Sequence, residues 1–501
     1  MAVRPGILGI DEGTTGTRAA VVLADGSIGP VFYEPLMVST PDGRRVEQDA
    51  GEIWAKTSDV ARQARAWAEA NGVQLAGLSI ANQRATSVLW DLRDGTPLAP
   101  AVVWQDRRYA DELADLAAEW DDRLIAATGR PVGTRSPLLW LTRCIREVPA
   151  VADAFRARRL AFGTVDAWLL HQLTAGQTRT FSATNAQSIG GLVLDDLTWL
   201  PGWLAALGVP GGVLPVVTND AGTLGTTDPG VLGERLPIAA AVGDQHAAWV
   251  ALGADRAGDT TVVHGTGSFV SMLTGAPPAA SHEIDNALYE IAWRTPTDSR
   301  DAVEAFAATT GAAVDWLCTG IGLFSGPEQL GALAASAPHA AAPWFEPSLA
   351  GVRTPVADPS ATGLLGGLTL ATDKAAIARA VVDGVAHTVG DLVEALATVS
   401  GAAPRILRCG GGLARSDVLA QAQADLLGVP VERAADFDTA SLRGAAYLAG
   451  IELGVWPDRA AALGTLPGGD LFEPRISAQE RADLRGAWQV ATRRPTTEGE
   501  R

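Results

Sequence analysis

A strand–turn–strand unit opens the chain, and past the midpoint the chain opens a second one. Ile7-Leu8-Gly9-Ile10 is an apolar run, Asp11 to Thr17 is a turn rich in Gly and Thr, and Arg18 to Leu23 returns as a strand ended by Asp25-Gly26. Thr261-Val262-Val263, Gly265-Thr266-Gly267 and Phe269 to Leu273 repeat that order with little sequence identity. A chain of 501 residues that starts the same device twice predicts two domains, because one hydrophobic core rarely serves more than about 300 residues. The boundary is expected near Gly253-Ala254-Asp255-Arg256-Ala257-Gly258. That gives a first domain over 1–252, a second over 253–492 and a frayed polar tail over 493–501.

Helical spacing supplies the α component of an α/β chain. Ile53, Val60, Ala64 and Trp67 share one face of a helix that Gly72 terminates. A hairpin spans Val88 to Trp104 with its turn at Asp94-Gly95. Ile377, Val381, Val385, Val389, Leu392 and Leu396 define a long helix that starts after Thr372-Asp373 and stops before Gly401. Ile406-Leu407-Arg408 is a strand that runs into Gly410-Gly411-Gly412, after which Ser416 opens a helix closed by Gly428.

Composition removes several function classes. Hydrophobic residues make up 47% and charged residues 19% of the chain, which describes a globular protein. The net charge of -18 repels phosphate backbones and excludes nucleic acid as a partner. No apolar run approaches the roughly 18 residues of a membrane span, and the N-terminus carries no cleavable hydrophobic region. Cys144, Cys318 and Cys409 are too few and too far apart for a disulfide framework or a zinc site, and a cytoplasmic location is expected. The sequence leaves a homo-oligomer open. The only lysines are Lys56 and Lys374, neither in a glycine-rich loop, so a P-loop or a protein-kinase nucleotide site cannot operate.

What remains is phosphate binding by small residues and backbone. Asp11-Glu12-Gly13-Thr14-Thr15-Gly16-Thr17-Arg18 sets a carboxylate, three hydroxyls and an arginine in one turn, with Asp11 placed to hold Mg2+. Gly265-Thr266-Gly267 is a second candidate phosphate turn, since glycine allows positive φ and close approach. Gly410 and Gly411, between a strand and a helix, offer bare backbone to a base or ribose. Each turn alone also reads as an ordinary hairpin or loop; three after three strands point to ATP. Asp244 follows the apolar run Ile238 to Val242, so its carboxylate should emerge at a strand end. There it can accept the proton of an attacking hydroxyl or cap a helix. His246 is expected to be packed rather than catalytic.

These motifs resemble the FGGY carbohydrate kinases over nearly the full length, and most of all their glycerol-phosphorylating members. The resemblance is carried by Ile10-Asp11-Glu12-Gly13-Thr14-Thr15, Asn82-Gln83-Arg84, Val103-Trp104-Gln105-Asp106-Arg107-Arg108, Phe162 to Leu169, Thr184-Asn185-Ala186, Gly243-Asp244-Gln245, Gly265-Thr266-Gly267 and Gly444 to Gly450. It implies an α/β, two-lobed actin-like ATPase (ribonuclease-H-like) fold with an interlobe active-site cleft, and transfer of the γ-phosphate of ATP, with Mg2+, to a terminal hydroxyl of a small polyol or sugar. By matching position it makes Asp244 the base and, with Asp11, a metal ligand. Thr14, Thr15, Arg18, Gly265, Thr266 and Gly267 would meet phosphates, and Gly311, Gly410, Gly411 and Arg415 the nucleoside side. Arg84, Gln245, Trp104 and Phe269 would bind the acceptor.

Several positions depart from the pattern of the members that act on glycerol. Ala85 stands where glutamate follows the arginine, and no tyrosine lies between Thr128-Gly129 and Trp140. Pro137-Leu138-Leu139-Trp140 replaces a lysine-containing signature, Ser182 an aspartate, and Arg415 an asparagine. Two lost hydroxyl contacts bear on preference by orders of magnitude, so another polyol or a ketose is an alternative acceptor. A nucleotide-switched or sugar-sensing binding protein without turnover is an alternative of another class. A switch of that kind has no use for Arg84 and Trp104 beside Asp244.

Overall fold

The computed structural model describes residues 4–275 and 287–492, so the expected tail over 493–501 lies outside the described residues. Both strand–turn–strand units form antiparallel hairpins. Arg4–Glu12 pairs with Gly16–Leu23, setting Asp11 opposite Arg18. Asp259–His264 pairs with Ser268–Leu273.

The same sheet grows around each hairpin. In the first, the strand order is Phe32–Pro35, Gly16–Leu23, Arg4–Glu12, Val73–Asn82, Pro237–Gly243, Ala221–Thr226. In the second, residues 302–307 of Ser299–Ala307 are followed by Ser268–Leu273, Asp259–His264, Ile406–Gly411, Val431–Arg433 and Asp470–Phe472. Each runs as three antiparallel strands, two further strands added in parallel, and one antiparallel edge strand. The repeat seen as two turns in the sequence is therefore a repeat of a whole sheet. Parallel additions need crossover helices, which cover the sheet and account for the buried apolar runs of its central strands.

Among the described residues, one compact unit comprises 4–253, 289–301 and 439–467, and the other 254–275, 287–288, 302–438 and 468–492. This departs from two contiguous halves, and packing is the reason. Helix Ala440–Glu452 returns to the first sheet, where a Cβ at Gly9 would stand 2.9 Å from Leu442. The same helix presses on helix Asp244–Ala251, where a Cβ at Gly444 would lie 1.7 Å from the Ala247 carbonyl oxygen. Gly450 is tied in the same way, its missing Cβ 2.2 Å from the Trp456 ring. Small residues in Gly444 to Gly450 thus let a helix sit close behind the one that begins at Asp244.

The local signals end the elements where the chemistry requires. Helix Ala50–Ala70 is capped by Asp49, whose carboxylate accepts from Gly51 N at 2.7 Å, and it buries Ile53, Val60 and Ala64. Helix Lys374–Ser400 is capped by Asp373 and ended by Gly401 at φ 65°. Ser416 and Gly428 bound helix Asp417–Leu427. No helix among the described residues is long and apolar enough to cross a membrane.

Gly444→Ala should destabilise the protein by about 2–3 kcal/mol, the range of an overpacked interior. Chemical denaturation checks this; a midpoint equal to wild type would show that the two helices can part without loss.

Candidate active site

The first unit gathers the carboxylates. Asp11 sits near the end of strand Arg4–Glu12 and Asp244 is the first residue of helix Asp244–Ala251, directly after strand Pro237–Gly243. Both strands flank Val73–Asn82 in parallel, so their ends emerge on the same edge of the sheet. Gly243 N donates to Thr184 Oγ1 at 3.0 Å and Gln245 N donates to Asp244 Oδ1 at 2.8 Å, fixing the helix start. Asp244 is therefore not a cap; Gly243 holds that place.

Burial and mutual repulsion disfavour charge on these groups. Burial pushes the Asp11 carboxyl up, Arg18 pulls it down and Asp244 pushes it up again, to about 6. Burial raises Asp244 above the usual carboxylate range, against the pull of Arg84 and of the Gln245 N–H. Glu12 is raised well above its ordinary value by burial, against a bond from Gln83, and further by Asp11 and Asp244. Its Oε1 meets no donor among the described residues. Adjacent carboxylates that resist ionisation fit a divalent cation, which relieves that repulsion. No group of three such ligands stands close enough among the described residues to hold a metal alone. Asp11 and Asp244 are the carboxylates of this pair that could take part in holding one.

Around the carboxylates lie the expected acceptor residues of this unit. Arg84 Nη2 donates to Gln245 Oε1, and Arg84 Nη1 donates to Glu290 at 3.1 Å. Trp104 is 36% exposed and its Nε1 donates to Thr14 Oγ1 at 2.9 Å, while the Arg135 guanidinium lies 5.7 Å from its ring centroid. Thr14 is thereby joined to the acceptor-side aromatic. Thr15 is exposed at the turn, with its carbonyl accepting from Leu36 N at 2.9 Å. One expectation needs revision: Thr17 lies in the returning strand rather than the turn and faces the core, where its hydroxyl meets Thr57 Oγ1 at 3.1 Å. Arg18 Nε stands 3.4 Å from Asp11 Oδ2 across the hairpin. Strand alternation points residues 11 and 18 together and turns Thr17 inward.

The second unit carries the other turns. Gly265 N donates to Gly267 O at 2.8 Å, and Ala312 N to Thr266 O at 2.8 Å. A Cβ at Gly311 would lie 2.0 Å from Gly265 O, and one at Gly267 would lie 2.2 Å from Ala307 O. Neither Gly265 nor Gly267 has positive φ. Gly267 and Gly311 are required for close approach, not for a left-handed backbone, while a Cβ at Gly265 would stand 4.0 Å from its nearest neighbour. Gly411 is the exception, at φ 89° with a Cβ position 2.1 Å from His264 O, while Gly410 lies over Phe437. Phe269 stacks on Phe306 at 5.4 Å within this unit. Arg415 lies at the surface, 3.6 Å from Asp438 and over Phe437. Lys56 pairs with Glu52 and Lys374 lies over Phe324, both apart from the glycine turns.

Sequence reasoning missed the buried polar residues that hold these groups. Glu290 is fully buried and receives Arg84, Arg130 and, at 3.7 Å, His246. His246 is buried as expected, and burial pushes its imidazole down to about 4. In the second unit, His264 bridges Ser268 at 2.8 Å and Gln423 at 3.1 Å beneath the Gly265 turn, and Ser268 meets Thr310 at 2.6 Å. One signal was available: Glu290 interrupts the apolar run Leu288 to Trp293, and a lone acid in a buried strand must be paired.

Residues 6–251 match the model for the FGGY family of carbohydrate kinases, N-terminal domain, and residues 260–453 that for its C-terminal domain. A glycerol kinase of Alkalilimnicola ehrlichii is 37% identical over 492 residues, covering 97% of this chain and 98% of that one. One of Aromatoleum aromaticum is 38% identical over 495 residues, with 97% and 98% covered. The crystal structure of Plasmodium falciparum glycerol kinase with ADP superposes with a TM-score of 0.91 at 23% identity, covering 98% of each chain. The fold is the actin-like, ribonuclease-H-like α/β fold.

Asp11 titrates higher in the folded protein than in the unfolded chain, so its contribution is full below about pH 4 and is lost as pH rises through about 6. Asp11→Asn should therefore stabilise the ligand-free protein at pH 7 by on the order of 1–3 kcal/mol. It should also flatten stability between pH 4 and about 6. Urea melts across that range check it; a destabilised variant would contradict the repulsion described.

Proposed function

The chain belongs to the FGGY family of carbohydrate kinases, and from that premise we propose that it transfers the γ-phosphate of ATP to a terminal hydroxyl of glycerol. The observation that carries this reading is Asp244, a carboxylate at the start of a helix and the end of a strand, beside Gln245 and the guanidinium of Arg84. Its raised pKa suits a base that must take a proton near neutral pH. As the acceptor oxygen bonds the γ-phosphorus and the bond to the β–γ bridging oxygen breaks, the hydroxyl proton passes to Asp244 and ADP leaves. Arg84 and Gln245 orient the acceptor hydroxyls, and Trp104 and Phe269 pack on its carbons.

On the nucleotide side, Thr14, Thr15, Arg18 and the Gly265-Thr266-Gly267 turn meet the phosphates, and Gly311, Gly410, Gly411 and Arg415 the nucleoside. Mg2+, held by Asp11 and Asp244, would offset charge on the transferring phosphoryl group. Backbone and hydroxyl donors suit this task in a chain whose two lysines are engaged elsewhere. A cytoplasmic location belongs to the same reading, supported by three buried, unpaired cysteines.

Ala85 favours a second acceptor class, a longer polyol or a ketose of the xylulose or ribulose type. Its backbone is left-handed at φ 62° and its methyl is buried, so it presents no oxygen to a hydroxyl.

An ADP-release assay over glycerol, erythritol, pentitols and ketoses should show one strongly preferred acceptor. Asp244→Asn should lower kcat on it by about a thousandfold, as removal of a general base does. Turnover that survives that substitution would exclude Asp244 as the base.

A further inference from the structure

Glu290 is a buried carboxylate that the phosphotransfer chemistry leaves unused, and the structure is arranged to keep it. Gln187 grips its strand on both sides of the chain, accepting from Ile291 N at 2.8 Å and donating to Ile291 O at 2.9 Å. Asp220 accepts from Arg294 N at 2.8 Å, and Tyr289 N donates to Gly129 O at 3.2 Å, bringing Arg130 alongside. The carboxylate itself is wholly buried, and Oε2 alone serves Arg84, Arg130 and His246. Burial pushes it up, yet the two guanidiniums and the imidazole outweigh burial and hold it below its ordinary value, so it is ionised.

Two consequences follow. Arg84 reaches both Glu290 and Gln245, so Glu290 sets the position of the guanidinium beside the attacking hydroxyl's base. One carboxylate also cancels much of the positive field that two guanidiniums would present to an acceptor. Its Oε1 has no donor among the described residues and is itself buried, so Glu290 acts on an acceptor through its charge rather than by contact, and that charge would repel a second carboxylate. We propose that Glu290 is a positioning and specificity-determining residue. It holds Arg84 through their shared ion pair and reserves the acceptor site for neutral polyhydroxy compounds against their carboxylate-bearing counterparts. This rests on the phosphotransfer reading above and adds to it the charge class of the acceptor.

The test compares glycerol with D-glycerate, by calorimetric binding and by kcat and KM, in wild type, Glu290→Gln, Glu290→Asp and Arg130→Met. Wild type should favour glycerol, and Glu290→Gln should narrow that preference by about tenfold, mainly through KM. Glu290→Asp, which keeps the charge, should retain the wild-type ratio even where both affinities fall. Should Glu290→Gln not fold, Arg130→Met answers the same question with the opposite sign, widening the preference by removing one guanidinium. Proportional losses for both acceptors, or an unmoved ratio in both charge-changing variants, would overturn the proposal. Absence of turnover with every polyol and ketose in wild type would count against phosphotransfer itself, and the calorimetric ratios would still decide the role of Glu290. Wild-type binding of neither compound would overturn both.

Discussion

Asp11 and Asp244 are like charges held at the ends of two strands that flank a third, and several contacts of the first unit keep them there. Left free, two carboxylates would separate or draw in water. Here Asp11 is locked by the Arg4–Glu12 and Gly16–Leu23 hairpin, with Arg18 across from it. Asp244 is locked by a helix whose first turn is bonded to Thr184 and whose back is pressed by Gly444. Burial chiefly raises the pKa of Asp11, and the nearby Asp244 adds to it against the pull of Arg18. Holding two carboxylates this way costs stability, as functional sites commonly do.

The second unit solves a different problem with the same sheet. Its glycine turns are tight because neighbouring carbonyls fill the space a Cβ would need, from Gly265 O at Gly311 to His264 O at Gly411. Buried donors and acceptors beneath, His264, Ser268, Thr310 and Gln423, hold that backbone firm. Preorganised N–H groups and hydroxyls need no rearrangement to receive an anion. That suits a chain without a glycine-loop lysine.

Legibility tracked the range of the interaction. The hairpin at Asp11, the caps Asp373 and Ser416 and the stops Gly401 and Gly428 are local, and periodicity with capping chemistry revealed them. Asp244 was legible because an apolar strand ended in an acid. The discontinuous division was not, since it depends on Leu442 meeting Gly9 and Gly444 meeting Ala247, contacts hundreds of residues apart. Of the two reasons for glycine in the Gly265 turn, positive φ and close approach, the fold uses only close approach, at Gly267.

The class of chemistry can be read from residue types and local order alone. The two strand–turn–strand openings, the lack of a loop lysine and the acids at strand ends exclude the other common nucleotide sites, because those depend on residue types that are absent. The surroundings of Arg84 came from the fold instead. Arg84, Arg130 and Glu290 come from three distant segments, and the burial that makes their pairing obligatory arises only when those segments close on one another. A charge on an extended chain is solvated and silent; enclosed in the fold, it must be matched by its neighbours.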